Sequence, residues 1–282
     1  MNDWLILIKA RITALVLVTA ATGYVLGALE IDLGILVSLL VGVGLASAGA
    51  AALNQVYERD ADARMVRTAS RPVPAGRISP ARGLAAGLLL SAGGVAWLAI
   101  GINALTGFLA LLTIVLYIAV YTPLKPRTSL NTLVGAIPGA IPPVIGWTAA
   151  TGSVGLGGWA LFSILFLWQL PHFLAIAWMF KDDYARGGFP MLPVVDPAGG
   201  STGRQAALYA LALIPVSLTP TLLGLTGGVY FFGALALGVV FLAFGLGMAM
   251  DRGRKGARRL LLASVTYLPI LLALLVLDRV AT

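Results

Sequence analysis

The chain has 282 residues, of which 59% are hydrophobic and only 11% charged, with a mean hydropathy of +0.96. Soluble domains carry about a quarter charged residues, so a fold that covers its outside with polar side chains is excluded, and most of this chain must face lipid or another apolar helix. There is no cysteine among the 282 residues, which removes disulfides, thiolate metal sites, cysteine nucleophiles and covalent c-type haem attachment.

A membrane-crossing helix needs roughly 20 apolar residues, and nine such runs follow one another: 12–29, 35–53, 84–102, 105–121, 132–150, 159–180, 205–224, 229–250 and 260–277. They are too long for buried strands and lack the alternation of a membrane barrel, so they read as helices. The fold class is therefore all-α, a polytopic bundle of nine transmembrane helices forming one domain over 1–282. The first apolar run leads into a second rather than into a small-residue cleavage site, so no cleaved leader is expected. Pro138, Pro142, Pro143, Pro171 and Pro215 fall inside runs and should kink helices whose freed carbonyls are re-satisfied by neighbours.

The formal net charge of +8 is distributed one-sidedly. With nine spans, Lys9 and Arg11, the six arginines of the 54–83 connector, Lys125 and Arg127, Lys181, Arg186 and Arg204, and the five basic residues of 252–259 all lie on one face. Only Arg279 lies on the other. Basic loops collect on the cytoplasmic side, so the expected protein is a multi-pass cell-membrane protein with its amino terminus cytoplasmic and its carboxyl terminus outside. The excess charge is a topology signal and gives no indication of nucleic acid. Because the positive-inside rule does not ask for carboxylates, the acidic residues of two of these connectors point instead to function at the cytoplasmic helix ends.

The first acidic segment continues from the second span. If the helix persists, Asn54, Glu58 and Asp62 stand four apart on one face, an oxygen-only ligand set suited to Mg²⁺. Asp60 turns away and is expected to pair with Arg59 or Arg64. Arg67 and Arg71 follow with the same spacing, and acidic ligands beside two guanidiniums describe a site for a metal-bridged polyphosphate. A solvated helix laced with ion pairs is the alternative for a charged run of this kind.

At these residues the sequence resembles the UbiA superfamily of intramembrane prenyltransferases, whose signature is N/D-x-x-x-D-x-x-x-D followed by R-T-x-x-R-P. Tyr121-Thr-Pro-Leu-Lys125-Pro-Arg127, Gly135 to Trp147, Trp168-Gln-Leu-Pro-His172-Phe173 and Lys181-Asp182-Asp183-Tyr184 narrow the resemblance to the protoheme IX farnesyltransferase family. The resemblance implies a UbiA-like bundle, and the one-sided placement of the basic residues leads to the expectation of a cavity open to the cytoplasmic face and capped by connectors 54–83 and 181–204. The resemblance also implies transfer of a farnesyl group from farnesyl diphosphate to a vinyl group of haem b, with water added, giving haem O and diphosphate. Mg²⁺ is the implied cofactor, haem b a substrate, and haem A synthase or a terminal oxidase the implied recipient.

On that resemblance Asn54, Glu58 and Asp62 are expected as one set of metal ligands and Asp182 and Asp183 as a second. Arg67, Arg71, Lys125, Arg127 and Lys181 are expected to clamp the diphosphate. His172, the single histidine, is expected to contact haem, with Trp168, Tyr121 and Trp147 lining the haem and prenyl pocket; structural packing is the alternative for each. Two departures stand out: Glu58 replaces the usual Asp, and the second D-x-x-x-D is incomplete, because Arg186 and Gly187 follow Asp182 and Asp183 at the fourth position. An aromatic quinone precursor as acceptor, or a transporter, are the competing readings.

Overall fold

The computed structural model describes residues 2–280, and these contain nine helices long and apolar enough to cross a membrane. They are α1 (Ala10–Gly27), α2 (Leu33–Tyr57), α3 (Pro80–Gly101), α4 (Ala104–Leu124), α5 (Asn131–Thr151), α6 (Gly155–Met179), α7 (Gly200–Leu222), α8 (Gly228–Asp251) and α9 (Arg254–Leu277). All nine apolar runs are therefore helices. The largest boundary difference is at α9, which begins at Arg254 rather than near 260: hydropathy registers only the lipid-embedded part, whereas basic residues continue a helix readily.

Side-chain caps set where several of these helices begin. Asp32 accepts from the amides of Gly34 and Ile35 ahead of α2, Ser79 from Arg82 ahead of α3, and Asn103 from Thr106 ahead of α4. Asp196 accepts from Ser201 and Thr202 at the start of α7, and Asp278, just past α9, accepts from Tyr230 in the first turn of α8. Asp32, Asp196 and Asp278 are thus used to bind helix-end amides. Of the prolines expected to kink helices, the Pro142–Pro143 pair divides α5 after Ala140, where two successive residues without an N–H cannot continue the ladder.

Neighbours in sequence pack as neighbours in space, and α9 closes the bundle against α6 and α1. Without a hydrophobic drive between helices in lipid, close backbone approach through small residues supplies the packing. At the α1–α5 crossing a Cβ on Gly146 would lie 1.8 Å from the Ala20 carbonyl oxygen, so only glycine fits there. Two apolar clusters result, one centred on α1, α2, α4 and α5 and the other on α6 to α9. At the opposite end from the charged connectors, Arg279 donates to the carbonyls of Val25 and Leu29, so the lone basic residue on that side serves to close the chain end.

Candidate active site

The stripe survives a change of helix. α2 ends at Tyr57, Glu58 sits at the junction, and a short helix resumes at Arg59–Arg64, with Glu58 N–H donating to Asn54 O and Asp62 N–H to Glu58 O. Asn54, Glu58 and Asp62 are 1%, 6% and 1% exposed, while Arg59 and Asp60 face outward and pair with each other at 3.3 Å. Three buried oxygen-bearing side chains on one face are costly unless they meet cations.

Those cations come from three other segments. Arg71 Nη1 lies 2.6 Å from Asp62 Oδ2, and Lys125, just past α4, places Nζ 2.7 Å from Glu58 Oε1. Lys9 Nζ donates to Asn54 Oδ1 at 2.7 Å, and Asn54 Nδ2 donates in turn to Thr122 Oγ1 at 3.3 Å. Burial acts to raise the Glu58 carboxyl, but the nearby Lys125, Lys9 and Arg71 charges outweigh it and hold the group below the usual carboxylate range. Burial lowers Lys9 most, and the Arg71 and Lys125 charges add to this, bringing it to about 7. For Lys125 burial also lowers, but Tyr121, Glu58 and Tyr117 prevail and its value rises.

Lys9 was not foreseen as a site residue; its sequence position just before a span reads as a topology signal alone. Its backbone is left-handed at φ 48°, ψ 50°, a conformation that L residues adopt at a cost of about 1–2 kcal/mol. The kink lies where the Asp3–Leu7 helix gives way to α1, and Gln55 anchors it by donating to the carbonyls of Ile6 and Leu7 at 2.8 and 3.1 Å.

The aromatic wall rests on a second irregularity that the sequence did not announce. The last part of α4, Leu116–Tyr121, is a π-helical segment, a wider turn that recurs at functional sites. It stacks Tyr117 on Tyr121 at 5.6 Å, and Lys125 Nζ lies over the Tyr121 ring at 4.9 Å. Gly135 of α5 makes room: a Cβ there would stand 2.5 Å from the Tyr121 ring.

The two long connectors dock on one another beside this cluster. Asp183 accepts from the amides of Val66 and Arg67 at 3.1 and 3.2 Å and pairs with Arg186, while Arg64 donates to the Gly187 carbonyl at 3.0 Å. Burial raises the Asp183 carboxyl, but the Arg186 bond and the two amides prevail, leaving it below its ordinary value. Arg67 lies over the Phe180 and Tyr184 rings at 4.9 and 5.5 Å, and Lys181 over Trp178 at 4.9 Å. Met65, Phe189 and Met191 form an apolar seam between the connectors.

Some expected residues are not brought to the cluster. Asp182 and Arg127 are exposed and make no ion pair among the described residues. Asp183 is occupied by the Val66–Arg67 backbone, because the Lys181–Gly187 helix turns it toward that segment. Among the described residues no three His, Asp or Glu side chains gather as a ready-made metal cage. Trp147 lies sixteen residues into α5, about 24 Å from its site-side end, where it packs on Gly157 and Gly158 at the opposite rim of the bundle. His172 Nδ1 bonds Ser264 Oγ of α9 at 2.7 Å and its ring stacks on Trp168 at 5.0 Å, while Trp168 Nε1 donates to the Ser264 carbonyl. These two residues belong to the α6–α9 interface. Two carboxylate oxygens of the stripe, Glu58 Oε1 and Asp62 Oδ1, are buried with no hydrogen-bond partner among the described residues; Glu58 Oε1 is in ion-pair contact with Lys125, and Asp62 Oδ1 has no such contact.

A helical intramembrane bundle with a carboxylate and cation cluster at one end is the build of a membrane prenyltransferase, and the UbiA prenyltransferase family model matches residues 16–276; the chain belongs to this family. The protoheme IX farnesyltransferase of Solibacter usitatus is 49% identical over 99% of both chains, and that of Koribacter versatilis 47% identical over 99% of this chain and 94% of its own. Among solved structures, a digeranylgeranylglyceryl phosphate synthase superposes with TM-score 0.81 at 16% identity over 98% of this chain and 97% of its own. A UbiA homologue from Archaeoglobus fulgidus bound to GPP and Mg²⁺ gives TM-score 0.70 at 16% identity over 97% and 99%. The resemblance read from the motifs is thereby established, and so is the nine-helix architecture.

Proposed function

We propose that this protein transfers the farnesyl group of farnesyl diphosphate to a vinyl group of haem b, with water added, yielding haem O and diphosphate. The observation that carries the reading is the buried Asn54–Glu58–Asp62 stripe facing Lys9, Arg71 and Lys125. The near-full-length likeness to protoheme IX farnesyltransferases gives the acceptor.

An oxygen-only donor set with an unpartnered carboxylate oxygen on Asp62 fits Mg²⁺, which prefers oxygen ligands and keeps several waters. Asn54, Glu58 and Asp62 would hold it, and bound Mg²⁺ would neutralise charge on the diphosphate as the allylic C–O bond breaks. Lys9, Arg71 and Lys125 exchange their present carboxylate and amide partners for diphosphate oxygens, so the cations that stabilise the leaving group are already in position. Arg67 and Lys181 form the outer rim of the same clamp.

The allylic carbon then bonds to the terminal vinyl carbon, the positive charge moves to the carbon beside the pyrrole ring, and water adds there with loss of a proton. Tyr117 and Tyr121 offer ring faces to positive charge. His172 and Trp168, although tied to Ser264 of α9, are only partly buried, and they are proposed to flank the acceptor ring. The charged end faces the cytoplasm, the cavity opens there, and haem A synthase or a terminal oxidase receives the product.

Acceptor competition tests this reading. With labelled farnesyl diphosphate and Mg²⁺, label should enter the haem fraction when haem b and 4-hydroxybenzoate are supplied together. Label in the aromatic acid instead would overturn the acceptor assignment, and no covalent product at all would favour a transporter.

A further inference from the structure

The half of the bundle away from the carboxylates carries a separate feature. Between α8 and α9 lies a groove of about 390 Å³. Its floor is Phe241 stacked on Tyr267 at 5.0 Å, both 1% exposed, and its sides are Val240 of α8 and Leu262 and Ala263 of α9. Arg259 stands at its mouth, and among the described residues this guanidinium makes no ion pair or hydrogen bond. Arg252, Arg254, Lys255 and Arg258 precede it within seven residues of sequence, with Asp251 the one carboxylate in that stretch.

We propose that this groove is a binding site for one anionic phospholipid, its phosphate on Arg259 and one acyl chain lying over the Phe241–Tyr267 pair. From Arg259 to Tyr267 is eight residues of helix, about 12 Å, which spans most of one leaflet of a hydrocarbon core roughly 30 Å thick. A chain that enters from the headgroup level at Arg259 therefore has apolar wall along nearly its whole leaflet depth. An unpaired arginine at the edge of a helix's lipid-embedded run seeks an anion at the headgroup level, and juxtamembrane basic clusters select anionic headgroups. With four further cations and a single carboxylate nearby, a choline or ethanolamine group would find mostly repulsion, so the net-negative lipid is the occupant. The exposed Val240 and Leu262 walls, held apart by the stacked Phe241–Tyr267 pair beneath them, give a chain fixed dispersion contacts that a mobile annular lipid lacks.

The site is independent of prenyl transfer, and its test reads lipid retention. Protein in detergent is stripped of lipid in steps, supplied with phosphatidylglycerol or phosphatidylcholine of identical chains, and examined by native mass spectrometry. The wild type should retain one phosphatidylglycerol with at least tenfold preference over phosphatidylcholine. Arg259→Gln should cut that preference at least fivefold, Ala263→Trp should abolish retention by filling the groove, and Arg82→Gln, exposed in the first turn of α3, should behave as wild type. Equal retention of the two lipids, or undiminished phosphatidylglycerol in Ala263→Trp, would overturn the proposal. So would displacement of the lipid by an unreactive farnesyl diphosphate analogue, which would make the groove a substrate path.

Discussion

Replacing Asp62 by alanine acts on two separable quantities. The carboxylate is 1% exposed and bound to Arg71 at 2.6 Å, while the arginine side chain keeps a quarter of its exposure. Removing one partner of a fully buried pair costs about 3–5 kcal/mol; because solvent reaches Arg71, the expected loss of stability is smaller, about 1–3 kcal/mol. Asp62→Asn keeps the shape and one acceptor oxygen and should lose less. Turnover should fall in both, by about 10²–10³, the usual consequence of removing a group that stabilises developing charge. Thermal unfolding in lipid nanodiscs together with haem farnesylation separates the two effects, and a Mg²⁺ titration should move to higher concentration in Asp62→Asn. A folded, inserted Asp62→Asn that turns over within threefold of wild type would refute both the ligand assignment and the electrostatic argument behind it.

Three further outcomes follow from the same geometry. Lys9→Met should weaken binding of an unreactive farnesyl diphosphate analogue by roughly tenfold, since a charge-assisted hydrogen bond contributes about 1.5 kcal/mol or more; calorimetry in nanodiscs would detect unchanged affinity, which contradicts the role. Gly135→Ala places a Cβ 2.5 Å from the Tyr121 ring and should destabilise by about 1–3 kcal/mol through overpacking, with turnover falling further than stability alone explains; an unchanged unfolding midpoint would contradict the contact. Asp183 sits below its ordinary value, so its stabilising contribution is complete above about pH 3.9 and fades as pH falls through its folded value. Hydrogen exchange at the Val66 and Arg67 amides should therefore stay protected at neutral pH and lose protection only in that acid range, and loss already at pH 6 would exclude the tie.

The parts legible in the sequence were those governed by local pattern. Nine helices followed from apolar run length, and the 54–58–62 stripe from helical spacing, because each depends on residues close together in the chain. Asp60 paired with Arg59 for the same reason. What the sequence concealed depends on three-dimensional approach. Lys9 reaches Asn54 across 45 positions through a left-handed kink, and a lysine ahead of a span carries no mark of that. The π-helical segment Leu116–Tyr121 leaves no hydropathy signal. Asp183 resembled a second metal ligand, yet two backbone amides of a distant connector claim its oxygens. Trp147 lay within a motif block, but sixteen residues of helix carry it to the other rim. The bond from His172 Nδ1 to Ser264, 92 positions away, likewise had no mark in the sequence.

The central claim is a covalent one: the cluster at the charged end ionises farnesyl diphosphate and joins the farnesyl group to haem. Purified protein in nanodiscs, incubated with haem b, farnesyl diphosphate and Mg²⁺, should yield an extracted haem heavier by one farnesyl group and one hydroxyl in high-resolution mass spectrometry, with the product absent when EDTA replaces Mg²⁺. Unmodified haem from an inserted, folded protein under the Mg²⁺ condition would contradict the account.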